Sequence, residues 1–210
     1  MLGIHHYWLF IATAIALVLT PGQDTFFILG RSLASGRPAG IAAALGITVG
    51  SVIHTCLAAL GLSALLATSP YAFMAVKFAG AAYLLYLGVR ALLSRAGGLP
   101  GASTADAGDG RWSAFRQGIL NNLLNPKVAL FFLALMPQFI SLGSAHEVAA
   151  FLALGITFVM LGMLWCLVLA VGAAHLRAVF LRRPSMATWL NRVAGAMFIG
   201  LGVRLATARQ

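Results

Sequence analysis

Thr20 to Phe27 reads TPGQDTFF, and Asn125 to Phe132 reads NPKVALFF. In both blocks a proline interrupts an apolar run and is followed five and six residues later by a pair of phenylalanines. Proline inside a helix removes a backbone donor and clashes with the preceding turn, whereas at the first helical position its missing N–H is no loss. Each block therefore reads as a helix that restarts inside an apolar segment. The surroundings are membrane by composition: 61% of the 210 residues are hydrophobic and 9% are charged, with mean hydropathy +0.95. A soluble domain carries about 25% charged residues, so a soluble globule is excluded.

At about 20 residues per membrane crossing, the chain accommodates six helices and no separate soluble domain. Hydropathy places them near 4–29, 39–66, 71–93, 114–140, 148–173 and 187–206. The N-terminal stretch lacks the basic region and cleavage site of a signal peptide and is taken as the first span. Residues 94–112 are rich in Gly and small polar residues and read as a flexible linker. The formal charge of +10 would suggest nucleic acid in a soluble protein. In a membrane protein it marks cytoplasmic loops and anionic headgroups instead. Arg31 and Arg37 follow the first span, Arg90, Arg95, Arg111 and Arg116 flank the linker, and Arg177, Arg182, Arg183 and Arg192 surround the fifth connection. The expected orientation therefore has the linker in the cytoplasm and both termini outside.

The two halves, 1–93 and 113–210, repeat one another in order. Besides the proline blocks, ALGIT occurs at Ala44–Thr48 and Ala153–Thr157, KFAGA at Lys77–Ala81 parallels RVAGA at Arg192–Ala196, and LGVR ends both halves at Arg90 and Arg204. The offsets from Pro21 to Pro126, Gly46 to Gly155 and Lys77 to Arg192 are 105, 109 and 115. Each copy holds three spans, an odd number, so the second must enter the bilayer from the opposite side. The expected fold is thus all-α and integral to the membrane, a single domain of six transmembrane helices in two inverted three-helix repeats. The first helix of each repeat is broken at proline. Inverted repeats of this kind are a transporter architecture.

The breaks supply candidate site residues. Thr20 is a candidate N-cap, Pro21 a first helical residue, and Gln23 the far member of a capping box; Gly22 completes the turn, and Asn125 with Pro126 repeats the pattern. Helix N-termini at mid-membrane present partial positive charge suited to a carboxylate. Asp24 is an acid well inside a span, where a charge costs about 2.5–3.5 kcal/mol on insertion scales; it is either a proton or substrate-amine site or a static dipole or ion-pair partner at the new helix start. Lys127 lies at the unfavourable end of its own helix dipole, so an acidic partner or an anionic ligand is expected, with Asp24 the obvious acid. Asn121 and Asn125, four apart, share a helix face and either line a cavity or bridge helices. His54 either relays protons or is a buried imidazole bonded to a neighbouring helix. Gly46, Gly50, Gly80 and Gly88 read as helix-packing surfaces, and Lys77 and Arg192 as snorkelling or packing residues.

TPGQDTFFILGRSLASGRPAG, the GxxxGxxxH run Gly46–His54, KFAGAAYLLYLGVRALL and QGILNNLLNPKVALFFLALMPQF together resemble the lysine exporter and homoserine/threonine resistance family (LysE/RhtB) along essentially the whole chain. The resemblance implies a bacterial inner-membrane exporter of amino acids or their derivatives that exchanges substrate for protons. Family members commonly carry PGP, and here Gln23 replaces the second proline.

Two other functions compete. Cys56 and Cys166 fall near equivalent repeat positions, as a membrane thiol-disulfide carrier would need. Neither lies beside a charge that would activate it. Divalent-cation efflux ranks last, because it requires a cluster of carboxylate, His or thiolate ligands. No nucleotide motif, cofactor or metal signature, or catalytic constellation is legible. The implied partners are an amino acid, protons and membrane lipid, with no nucleic acid, and homo-oligomer formation stays open.

Overall fold

In a computed structural model the described residues are 2–62, 70–93, 110–141, 146–182 and 184–207. They are helical almost throughout. Helices α1 (Tyr7–Leu19) and α2 (Gln23–Ser35) form a bent pair, followed by α3 (Arg37–Leu57), which continues through a wider turn at Ala58–Leu62. After α4 (Pro70–Leu93) come α5 (Arg111–Leu123) and α6 (Pro126–Leu130), a second bent pair extended by irregular helical turns to Phe139. The chain closes with α7 (Glu147–Arg182) and α8 (Pro184–Thr207). Residues 94–109 of the expected linker lie outside the described residues, and its last two, Arg111 and Trp112, already belong to α5.

Both proline blocks bend the chain by 47°. The cause is the same twice. Thr20 and Asn125 each precede proline, whose ring excludes the helical region for its neighbour, and both are extended, with ψ of 118° and 105°. The segments Arg37–Gly61 and Glu147–Ala173 are each long and apolar enough to cross a membrane alone; counting each bent pair as one span gives up to four among the described residues. At about 1.5 Å per residue, the 36 residues of α7 reach well beyond a hydrocarbon core of about 30 Å. The apolar part ends near Ala173, and the stretch bearing Arg177 and Arg182 continues the helix. Arg177 and Arg182, expected in a loop, are therefore part of a helix.

Along α7 one stripe is buried, with Phe151 and Leu154 fully so, while Ile156, Met160 and Leu164 on the far side are about 60% exposed (57%, 62% and 64%). An exposed apolar stripe of that length fits acyl chains rather than water. Glycines set the closest crossings. A Cβ on Gly46 would lie 2.0 Å from the Phe115 carbonyl oxygen, and one on Gly118 2.5 Å from that of Ala43, so α3 and α5 touch backbone to backbone. Helices α4 and α8 pack similarly, through Gly88 against Gly195 and Gly202 against Ala81. Behind the second break, Phe131, Phe132 and Phe158 form an aromatic cluster, with the Phe131 and Phe158 ring centres 4.5 Å apart.

One expected loop cation is not in a loop. Arg31 is 2% exposed on α2, donating to Gln117 of α5 and lying 5.8 Å over the Phe27 ring. It belongs to the helix packing and leaves the count that sets orientation.

Candidate functional site

The first break brings an acid to the second. Asp24, one residue into α2, accepts three amide hydrogen bonds: Asn121 Nδ2 to Oδ1 at 2.7 Å, and Asn122 and Asn125 Nδ2 to Oδ2 at 3.0 and 3.1 Å. Charge-assisted bonds of this type contribute about 1.5–3 kcal/mol each, enough together to offset the cost of an intramembrane carboxylate. The amides are themselves held in place. Asn125 caps α6 by accepting from the Lys127 backbone N–H at 3.1 Å, and Ser51 donates to Asn122 Oδ1 at 3.3 Å. Gly50 allows that approach, since a Cβ there would sit 2.8 Å from Asn122.

Asn122 was missed by the sequence reading, although the signal was present. Asn122 stands beside Asn121 in the last turn of α5, while Asn125 is extended at the break beyond it, so the expected common helix face of Asn121 and Asn125 is replaced by a bend that turns all three amides onto one acceptor. His54 is bonded to the neighbouring chain segment: its Nε2 lies 3.3 Å from the Asn122 carbonyl, which accepts, and its ring stacks on Phe132.

Two expectations are corrected. Thr20 does not cap α2. Its hydroxyl donates back to the Ala16 carbonyl at 2.6 Å, ending α1, while Gly22 occupies the N-cap without a side-chain bond. The capping box with Gln23 is absent because three residues, Thr20 to Gly22, separate the helices and put Gly22 rather than Thr20 at the N-cap. Lys127 is likewise not ion-paired with Asp24 among the described residues. Its ammonium donates to the carbonyls of Leu17 and Thr20, at 2.9 and 3.0 Å. Those are orphan acceptors at the negative end of α1, so the first half-helix supplies the partial negative charge that an acid was expected to supply. Lys127 thereby stitches the two breaks together, with Gly22 leaving room beside it: a Cβ there would be 3.2 Å from the ammonium. Pro21 is half-buried at the bend, and Pro126 is exposed at the start of α6.

Asp24, Lys127, Gly22 and Ser51 line one cavity of about 50 Å³ with Ile47, Val128 and the inner face of α7, room for roughly three or four waters at about 15 Å³ each. The two charges attract one another across it. The lining thus combines the two charged groups with an apolar wall on α7 that includes Phe158, Val159, Met163 and Leu169. Trp165 lines the cavity too, and its buried indole N–H has no acceptor among the described residues. Cys166 is buried at the cavity wall, whereas Cys56 is exposed; both are free thiols.

Residues 15–209 match the family model described as LysE type translocator. The chain belongs to the LysE translocator family. Over 210 residues it is 36% identical to an uncharacterised membrane protein of Pseudomonas aeruginosa, covering 99% of this chain and 97% of that one. A membrane protein of Vibrio cholerae is also 36% identical, over 97% of this chain and 98% of its own length. The leucine efflux protein of Salmonella typhimurium is 31% identical over 98% of this chain and 96% of its own. No solved structure matches. As a LysE-type translocator this is a multi-pass membrane protein of a transporter family, and both proline blocks fall within the matched region.

Proposed function

We propose that the chain is an inner-membrane exporter of neutral amino acids or close derivatives, driven by proton exchange, with substrate held between the two helix breaks. The observation that carries this reading is the bonding capacity left over in the cavity. A carboxylate offers about four lone-pair sites and an ammonium three donors. Asp24 uses three of its sites on Asn121, Asn122 and Asn125, and Lys127 uses two of its donors on carbonyls. One acceptor and one donor remain, facing a shared cavity, which is what the ammonium and carboxylate of a zwitterion require. The apolar α7 wall takes a side chain without charge. Leucine efflux by a relative 31% identical along the full chain supports the same substrate class.

Protonation of Asp24 would release the substrate ammonium, which links proton entry to substrate exit. The inverted-repeat layout supports alternating access around a central site. Its best support is the α4–α8 crossing, where the LGVR glycine of each copy, Gly88 or Gly202, meets the AGA segment of the other, at Gly195 or Ala81. The thiol-carrier reading gains nothing from one exposed and one buried cysteine. No cluster of three metal-ligating side chains among the described residues favours cation efflux.

Competition for uptake into everted vesicles tests the site. A free amino acid should inhibit at least about 10-fold better than its decarboxylated amine, because an unpaired buried cation is costly. Equal inhibition would remove the carboxylate role of Lys127, and preferred transport of arginine would overturn the neutral-substrate assignment. Orientation is tested separately. A cysteine placed within 94–109 in a Cys56→Ser background should resist an impermeant thiol reagent in intact cells and react in everted vesicles. The reverse pattern would put the linker outside.

A further inference from the structure

On the inner stripe of α7, Gly162 stands between buried Phe158 and Cys166, one turn to either side. A residue on that stripe should face packed side chains. Gly155, two turns earlier on the same face, does so: a Cβ there would lie 2.1 Å from Thr55 Cγ2. At Gly162 the same construction meets nothing within 4 Å. Gly162 also lines the cavity that holds Asp24 and Lys127. One glycine on this helix is therefore required by a neighbouring helix, and the other leaves space that no neighbour fills.

We infer that Gly162 is the specificity-determining residue of the site: its missing side chain makes the room in which the substrate's apolar side chain sits, and so sets the upper size of what is carried. The inference rests on the proposed transport function and adds the group that discriminates among its substrates. The charged groups, held by Asn and carbonyl partners, treat all zwitterions alike. Discrimination by length must come from the apolar α7 wall, where Val159 and Met163 flank Gly162. A methyl group placed there shortens the space by about one carbon. Hydrophobic pockets discriminate a methylene by about 10- to 200-fold.

The test uses Gly162→Ala and Gly162→Val in the full-length Cys56→Ser protein, with two readouts. The first is alkylation of Cys166 by a small neutral maleimide, which reports filling of the cavity without any transport. It should slow progressively from Gly to Ala to Val while detergent melting temperature is unchanged or higher, because alanine and valine both favour a helix over glycine. The second is uptake of alanine, valine, leucine and phenylalanine into everted vesicles. The leucine-to-alanine ratio of kcat/KM should fall about 10-fold in Gly162→Ala and further in Gly162→Val. Unchanged alkylation would show that the added side chain points elsewhere and overturn the inference. Slowed alkylation with an equal loss for all four substrates would also overturn it, since the space would then not discriminate size. If the Gly162 parent carries none of the four, it is the transport reading that fails, and the alkylation series still reports whether residue 162 faces the cavity.

Discussion

Asp24→Asn should leave an inserted, folded protein whose gradient-driven export falls about 100-fold or more. Three amides converge on this carboxylate, and replacing it with an amide puts a donor among donors. Of the three, only Asn121, alone on Oδ1, can turn to accept from the new amide, which keeps the variant folded but leaves the site without its charge. Asn122 Oδ1 is held by Ser51 and Asn125 Oδ1 by the Lys127 backbone N–H, so reversing either amide breaks a second bond. The variant also has no group that can exchange a proton or balance a substrate ammonium. A loss of about 3 kcal/mol, the upper value for one bond to a charged group, corresponds to roughly 100-fold. Asp24→Glu, which keeps the charge, should retain measurable coupled export at a reduced rate. Everted-vesicle uptake with and without a pH gradient, beside a monodispersity check in detergent, decides the matter. Wild-type uptake with an unchanged response to the gradient would sink the coupling role.

Gly46→Ala should be strongly destabilising for a single added methyl group. The added carbon would sit 2.0 Å from a backbone oxygen of Phe115, and a carbonyl in the middle of a helix cannot swing aside as a side-chain tip can. Helices α3 and α5 must then separate by roughly an ångström, at a cost of about 1–3 kcal/mol for overpacking. That lowers the melting temperature by about 3–10 °C for a domain of this size. The site suffers with the fold, because α3 carries Ser51 and His54 while α5 carries Asn121 and Asn122. Transport should fall in parallel with stability, in contrast to Asp24→Asn, where transport is lost from a stable protein. A Gly46→Ala protein that melts with the wild type would show that the crossing is looser than drawn.

Much of this was legible beforehand, and for identifiable reasons. Proline acts locally: it excludes helix for the residue before it and tolerates helix after it, so TPG and NPK mark both breaks wherever the rest of the chain goes. Composition decides the solvent, and an acid at position 24 in an apolar run declares itself by its cost. Asn125 as an N-cap is equally local, a side chain bonded two residues along its own backbone.

What needed the tertiary structure were the partnerships between segments about 100 residues apart. The sequence paired Lys127 with Asp24 because opposite charges attract, but the lysine reaches the free carbonyls at the end of α1, acceptors that every helix end exposes and that no residue type announces. It placed Arg31 in a loop because arginine avoids hydrocarbon, whereas the packing of α2 against α5 buries it beside Gln117. It could not separate the glycines, since one letter serves both a backbone contact at Gly46 and an open space at Gly162. Local chemistry writes the breaks into the sequence. Which groups face each other across them depends on how the helices cross, and that is a property of the packed whole.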